Sequence, residues 1–211
     1  GHRSSELDNL DSRSHFFSNS FIDLDFSSFD KNNLEIQLQK TSNDTYLKLF
    51  NLESPLFGDD GSSSVSTLNS FINLTASSEN LDFDTSAQVY ETMGLKNSDR
   101  YQFVFPNYNL SKTIETNDHL SGVLTLNSTG SQNIYQTNTK ENRIINDLLY
   151  TSQNKFLTNG IKNNYSILFK NANTDGENSS KYKSKAQSEI LSSFIFESSY
   201  PLLREGINFD S

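Results

Sequence analysis

The sequence predicts an all-β chain, an antiparallel up-and-down meander of about nine strands, and three observations carry that prediction. Apolar and polar residues alternate with a period of two in one segment after another. Polar clusters rich in Ser, Asn, Asp and Gly separate these segments, and most are too short for the dozen or more residues that a parallel crossover needs. Only 33% of the 211 residues are hydrophobic while 12% are aromatic. That pairing argues for apolar residues laid sparingly along one face, not for a disordered chain.

The elements follow in order. Residues 1–12 read as a polar lead-in, 13–206 as the β region and 207–211 as the start of a next segment. Leu34, Ile36 and Leu38 alternate with Glu35, Gln37 and Gln39. The pattern returns at Leu68, Ile72, Leu74 and Ala76, and at Leu81, Phe83, Ala87 and Val89 against Asp82, Asp84, Ser86 and Gln88. Leu120, Gly122, Leu124 and Leu126 repeat it, then Tyr165, Ile167 and Phe169, then Ile190, Phe194 and Phe196. Residues 27–33, 58–64, 77–80, 127–133, 152–160 and 173–184 supply the turn chemistry between them. One stretch, 139–152, also offers helical spacing through Ile144, Ile145, Leu148 and Leu149. It is assigned to a strand, because Asn, Thr and Tyr are mediocre helix formers and both neighbours read as strands. Pro201 marks a strand end.

Two architectures satisfy such a meander. In a β-sandwich the apolar rows of two sheets meet in a dry core, whereas in an outer-membrane barrel they face lipid and the polar rows line a wet lumen. Each segment is expected to run about 9 to 11 residues, the length a tilted strand needs to cross a bilayer. Tyr90, Tyr101, Tyr108, Tyr150 and Tyr200 fall near expected strand ends, where an interfacial belt of aromatics belongs. Aromatics at strand ends also cap ordinary cores, so pattern alone leaves the sandwich open as a secreted or surface binding module.

Other classes are poorly supported. No run of about 18 to 20 apolar residues is present for a membrane-spanning helix. With no cysteine there is neither a disulfide framework nor a thiolate metal site. A formal charge of −9 and scattered Lys and Arg make nucleic acid a poor partner. His2, His15 and His119 lack ligand spacing, and the acidic turns at 58–61 and 173–178 lack a full calcium loop, so no metal or other cofactor is assigned. Neither a nucleophile elbow nor a phosphate-cradling loop occurs, and no catalytic residue is assigned. A glycan-acting enzyme would need two carboxylates at catalytic separation, and nothing singles out a pair.

Ordered elements then bring a family into view. "DKNNLEIQLQKTSNDTYLKLF" places Asn43, Asp44, Thr45, Tyr46 and Leu47 directly after a strand; it follows "RSHFFSNSFIDLD" and precedes "RYQFVFPNYNLSK" and "SSFIFESSYPLLREG", with Tyr200, Pro201 and Leu202 in the last. Together these resemble the barrel domain of the LPS-assembly protein LptD (OstA) family. The chain departs from that family in using Phe or Leu where Trp stands in relatives. The resemblance implies an open, internal section of a large Gram-negative outer-membrane β-barrel that inserts lipopolysaccharide into the outer leaflet without being an enzyme. It further implies as partners lipopolysaccharide, an LptE-like plug lipoprotein, the rest of the LptD chain, the periplasmic Lpt bridge and the outer membrane. At the level of residues, Asp44 and Thr45 are expected to bond their own backbone and turn the chain, and Tyr46 and Leu47 to start its return.

Overall fold

The computed structural model describes residues 13–45, 47, 66–95, 100–116, 121–135 and 138–200. Among the described residues alternation becomes strand wherever it was expected; Leu120 lies outside them. The elements are β1 (His15–Asp23), β2 (Lys31–Thr41), β3 (Thr67–Ser78), β4 (Leu81–Thr92), β5 (Tyr101–Glu115), β6 (Gly122–Tyr135), β7 (Thr139–Ser152), the two-residue β8 (Lys155–Phe156), β9 (Lys162–Glu177) and β10 (Gln187–Ser199). They form one sheet in the order β1-β2-β3-β4-β5-β6-β7-β9-β10, with β8 beside β9. Every pairing is antiparallel. The meander is open: β1 and β10 are its two edges and do not pair with each other.

Local chemistry explains most boundaries. β3 and β4 are joined by Glu79 and Asn80 alone, the short polar turn expected at 77–80. Gly94 and Gly160 take positive φ in the turns after β4 and after β8. Within β5 the register with both neighbours slips around Pro106, which cannot donate to a ladder.

Four expectations change. Residues 127–133, read as a turn, lie inside β6. Their polar side chains are satisfied on the sheet, Asn127 accepting from Ser111 at 2.7 Å and Ser128 donating to Asn146 at 2.7 Å. Residues 173–177, likewise read as turn, are the last five of β9. β1 and β2 have the expected length, but β3 to β7, β9 and β10, at twelve to sixteen residues, are longer than the bilayer-crossing length, and Tyr108 sits in the middle of β5, not near its end. The reading of 58–64 as a turn and of Tyr46, Pro201, Leu202, His2 and His119 lies outside the described residues.

No core of ordinary size exists among the described residues. Buried hydrophobic side chains are Leu47, Leu68, Ala76, Met93 and Val104, while twenty-five large ones are exposed. Leu47, Leu68 and Met93 form the one buried cluster seen here, with Phe17 packed against it at the upper end of the sheet, the end holding the β2–β3 and β4–β5 connections.

Candidate functional site

Side chains directly opposite one another in an antiparallel pair leave the sheet on the same side, so the registers assign every residue to a face. One face collects Leu34, Ile36 and Leu38 of β2, Ile72 and Leu74 of β3, Phe83, Ala87 and Val89 of β4, and Leu110 and Ile114 of β5. It continues with Leu124 and Leu126 of β6, Leu148 and Tyr150 of β7, Tyr165, Ile167 and Phe169 of β9, and Phe194 and Phe196 of β10. The opposite face carries Glu35, Gln37, Asn73, Asp82, Asp84, Gln88, Asn109, Asn127, Asp147 and Glu189. Among the described residues no second layer covers the apolar face: Ile72 is 50% exposed and Phe194 65%.

The apolar residues form a band that crosses the hydrogen-bonded rungs obliquely. A single rung runs Asn32, Ala76, Phe83, Leu110, Ser128, Asn146, Asn171 from β2 to β9. It enters the band at its lower edge, at Asn32, and leaves it at its upper edge. Below Asn171 on β9 come Phe169, Ile167 and Tyr165, and the lower edge there is Asn163. Crossing from β2 to β9 takes six strand spacings, about 29 Å at roughly 4.8 Å each, and the eight residues from Asn171 to Asn163 cover about 26 Å. The band therefore lies about 40° off the rungs, which is the tilt of strands in transmembrane barrels, about 35–45°. Measured perpendicular to its edges it is about 20 Å tall, close to the roughly 25 Å apolar band of such barrels.

Above the upper edge of the band the same face becomes mixed, with amide and hydroxyl side chains among Phe103, Ile134 and Ile190. Gln132 donates to Asn142 at 2.9 Å and Asn142 to Asp175 at 2.8 Å, while Asn171 donates to Ser188 at 3.1 Å and Asn173 to Asn171. Near the lower edge the rings of Tyr150 and Tyr165 adjoin, with centroids 5.7 Å apart, and Phe194, further into the band, lies 6.2 Å from Tyr165. Lys112 is a charged residue of this face near the lower edge, and its long stem lets the ammonium reach past that edge.

The polar face is internally bonded. Asp84 accepts from Thr75 at 2.8 Å and from Asn73 at 3.2 Å, Glu35 accepts from Asn19 at 3.2 Å, and Lys170 pairs with Asp147 at 3.1 Å. It also has an apolar area, Leu149, Leu168, Leu191 and Ile195, near the β10 edge.

The segment after β2 turns differently from the expectation. Asn43, not Asp44 or Thr45, makes the turn: its Oδ1 accepts from the Thr45 amide at 3.0 Å and the Thr45 hydroxyl at 2.8 Å. Asp44 instead reaches across the sheet end. Arg100 donates to both its carboxylate oxygens, at 2.9 and 2.6 Å, and the Gly94 amide adds a third bond at 3.0 Å. Arg100 also donates to Glu91 at 2.7 Å, and Glu91 accepts from Lys40 at 2.9 Å and Tyr101 at 3.1 Å. The Arg100 guanidinium beside Asp44 holds that carboxyl below the usual carboxylate range, and Asp44 in turn raises the Arg100 guanidinium. Leu47 is buried with Leu68 and Met93, and Tyr200 follows β10 at the lower end, its ring edge lying against Gly160. The sequence elements around Asp44 and Tyr200 are thus at opposite ends of the sheet. Sequence reasoning missed Glu91 and Arg100, whose only signal was a charged residue at the end of an apolar row.

Among the described residues no three His, Asp or Glu side chains converge as a metal group would require. No protein-family model matches the chain, and no curated protein matches it.

Proposed function

We propose that this chain is a section of an outer-membrane β-barrel wall of the LptD kind, with its apolar band against acyl chains and its polar face lining a water-filled interior. The observation that carries the reading is the slant of the band. A soluble sheet buries its apolar face under a second layer, and nothing requires that face to be a stripe of constant height inclined to the rungs. A bilayer requires both, because its hydrocarbon slab has fixed thickness and barrel strands cross it tilted. The amide side chains among the residues above the stripe and the tyrosines near its lower edge fit the two water interfaces. The open edges fit a section whose neighbouring strands come from the rest of a barrel, since unpaired main-chain groups are not tolerated in lipid.

Within this reading the role is transport, not catalysis: amphipathic lipopolysaccharide passes along the acidic and amide-rich face towards the outer leaflet. The test is photocrosslinking in the intact outer membrane. A photoreactive residue replacing Asp84 or Asn109, both on the polar face, is expected to capture lipopolysaccharide. Capture of proteins only, with lipopolysaccharide supply unimpaired, would count against the transport role while leaving the barrel reading standing.

A further inference from the structure

The ladder between β2 and β3 stops early. It ends at Gln37 opposite Phe71, although β2 continues to Thr41 and β3 begins at Thr67. Both flanking ladders run on: β1 pairs β2 up to His15 opposite Thr41, and β3 pairs β4 up to Thr67 opposite Thr92. The missing rungs are replaced by side chains. The Gln39 amide donates to Ser70 Oγ at 3.0 Å, and Ser70 Oγ donates to the Gln39 carbonyl at 3.2 Å. The Asn69 amide donates to Gln39 Oε1 at 2.8 Å, and Gln37 Nε2 donates to the Asn69 carbonyl at 3.1 Å. All four main-chain groups of the next rung, Gln39 opposite Asn69, are therefore satisfied through three side chains. Asn69 Oδ1 is buried on the same seam without a partner, a desolvated acceptor of the kind native sheets rarely keep.

Among the described residues, further links over this seam are also made by side chains. Lys40 of β2 reaches Glu91 of β4, and Asp44 beyond β2 reaches Arg100 before β5. Phe17 of β1 packs on the cluster that holds Leu68 of β3. β1 and β2 stay fully paired with each other, and among the described residues no further strand lies beside β1, so the continuous main-chain attachment of the hairpin seen there is the lower β2–β3 ladder.

We infer that the β1–β2 hairpin is a hinged flap that parts from β3 above Gln37 and Phe71, latched by the Gln37, Gln39 and Ser70 bridge and by the Lys40–Glu91 and Asp44–Arg100 pairs. Opening exchanges side-chain bonds for water and parts Phe17 from the Leu68 cluster, while leaving every main-chain ladder intact. It creates a slot between the polar and apolar faces. The use of that slot by an amphiphile rests on the membrane reading above; the hinge does not.

Residue-resolved amide exchange on the full chain tests the hinge apart from any membrane question. In the antiparallel pattern the Gln39 and Asn69 amides face the seam, the Glu35 and Asn73 amides face the intact ladder below it, and the Leu38 and Lys40 amides face β1. Gln39 and Asn69 are expected to exchange at least tenfold faster than Glu35 and Asn73, and a further tenfold faster in the K40A/D44A variant, with Leu38 and Lys40 unchanged. If the double variant does not fold, the comparison within the parent chain decides alone. Equal protection of Gln39, Asn69, Glu35 and Asn73 overturns the hinge, as does matching loss at Leu38 and Lys40, which would mean that β2 frays.

Discussion

Tyr108 and Gly130 face each other across β5 and β6, and a Cβ on Gly130 would come within 2.3 Å of the Tyr108 ring. The glycine is there because the ring lies flat over it, filling space a side chain would otherwise take and covering a backbone that glycine leaves bare. Gly130→Ala is expected to cost about 1–3 kcal/mol by overpacking, and a Tyr108→Ala background should remove most of that cost in a denaturation cycle. Additive effects of the two changes would show that the ring does not depend on the glycine. At the upper end Asp44 makes a different kind of contribution. Its carboxyl is depressed by Arg100, so the pair stabilises fully at neutral pH and the contribution is lost as pH falls through that lowered value, below about pH 4. With Asp44 about a third exposed, the effect should stay below about 1 kcal/mol. Comparison of acid titrations of the parent and Asp44→Asn should show the parent alone losing this increment; identical acid limbs would remove the pair from the stability account. The turn itself was legible as polar residues after a strand, but the turn-making role expected of Asp44 fell to Asn43, because Arg100, which holds Asp44, is 56 positions away in sequence.

At the scale of the element, alternation proved a sufficient guide where one face is apolar and the other polar, as in β2, β3 and β4. It became ambiguous in β7, where Ile144 and Leu148 point to the apolar face and Ile145 and Leu149 to the polar one. Two rows of period two, offset by one residue, imitate helical spacing. It misled in β6, where the polar run 127–133 looks like a turn only if a strand must be apolar on one side throughout. There Asn127 and Ser128 bond their cross-strand neighbours instead of ending the ladder. Face assignment yields a direct prediction. Arginine at Ile72 or Phe194, both on the apolar face, should destabilise a bilayer-refolded protein by about 2–4 kcal/mol at mid-bilayer depth, and Gln88→Arg on the other face should be tolerated. Equal tolerance at the three positions in a lipid refolding titration would undo the assignment of faces.

For the whole molecule, the sequence announced a meander and left open which solvent the apolar rows meet, because that depends on registers between strands that no single segment reveals. Only with the rungs laid side by side does the slant of the band appear. The edges bear on the same question. β10 exposes apolar groups on both faces, Phe194 at 65% and Ile195 at 51%, and such a flat, greasy edge invites pairing with another chain in water. The chain on its own, without lipid or further strands, is therefore expected to associate, and sedimentation should find aggregates; a stable monomer in plain buffer would favour a self-sufficient soluble sheet. The central claim is that acyl chains touch one face only, and absence of tryptophan from the chain makes it directly measurable. Single tryptophans at Phe83, Leu110 and Ile167, and at Gln88 and Asn109, should divide in vesicles containing brominated acyl chains, the first three strongly quenched and the last two spared. Uniform quenching, or none at any position, would contradict the account.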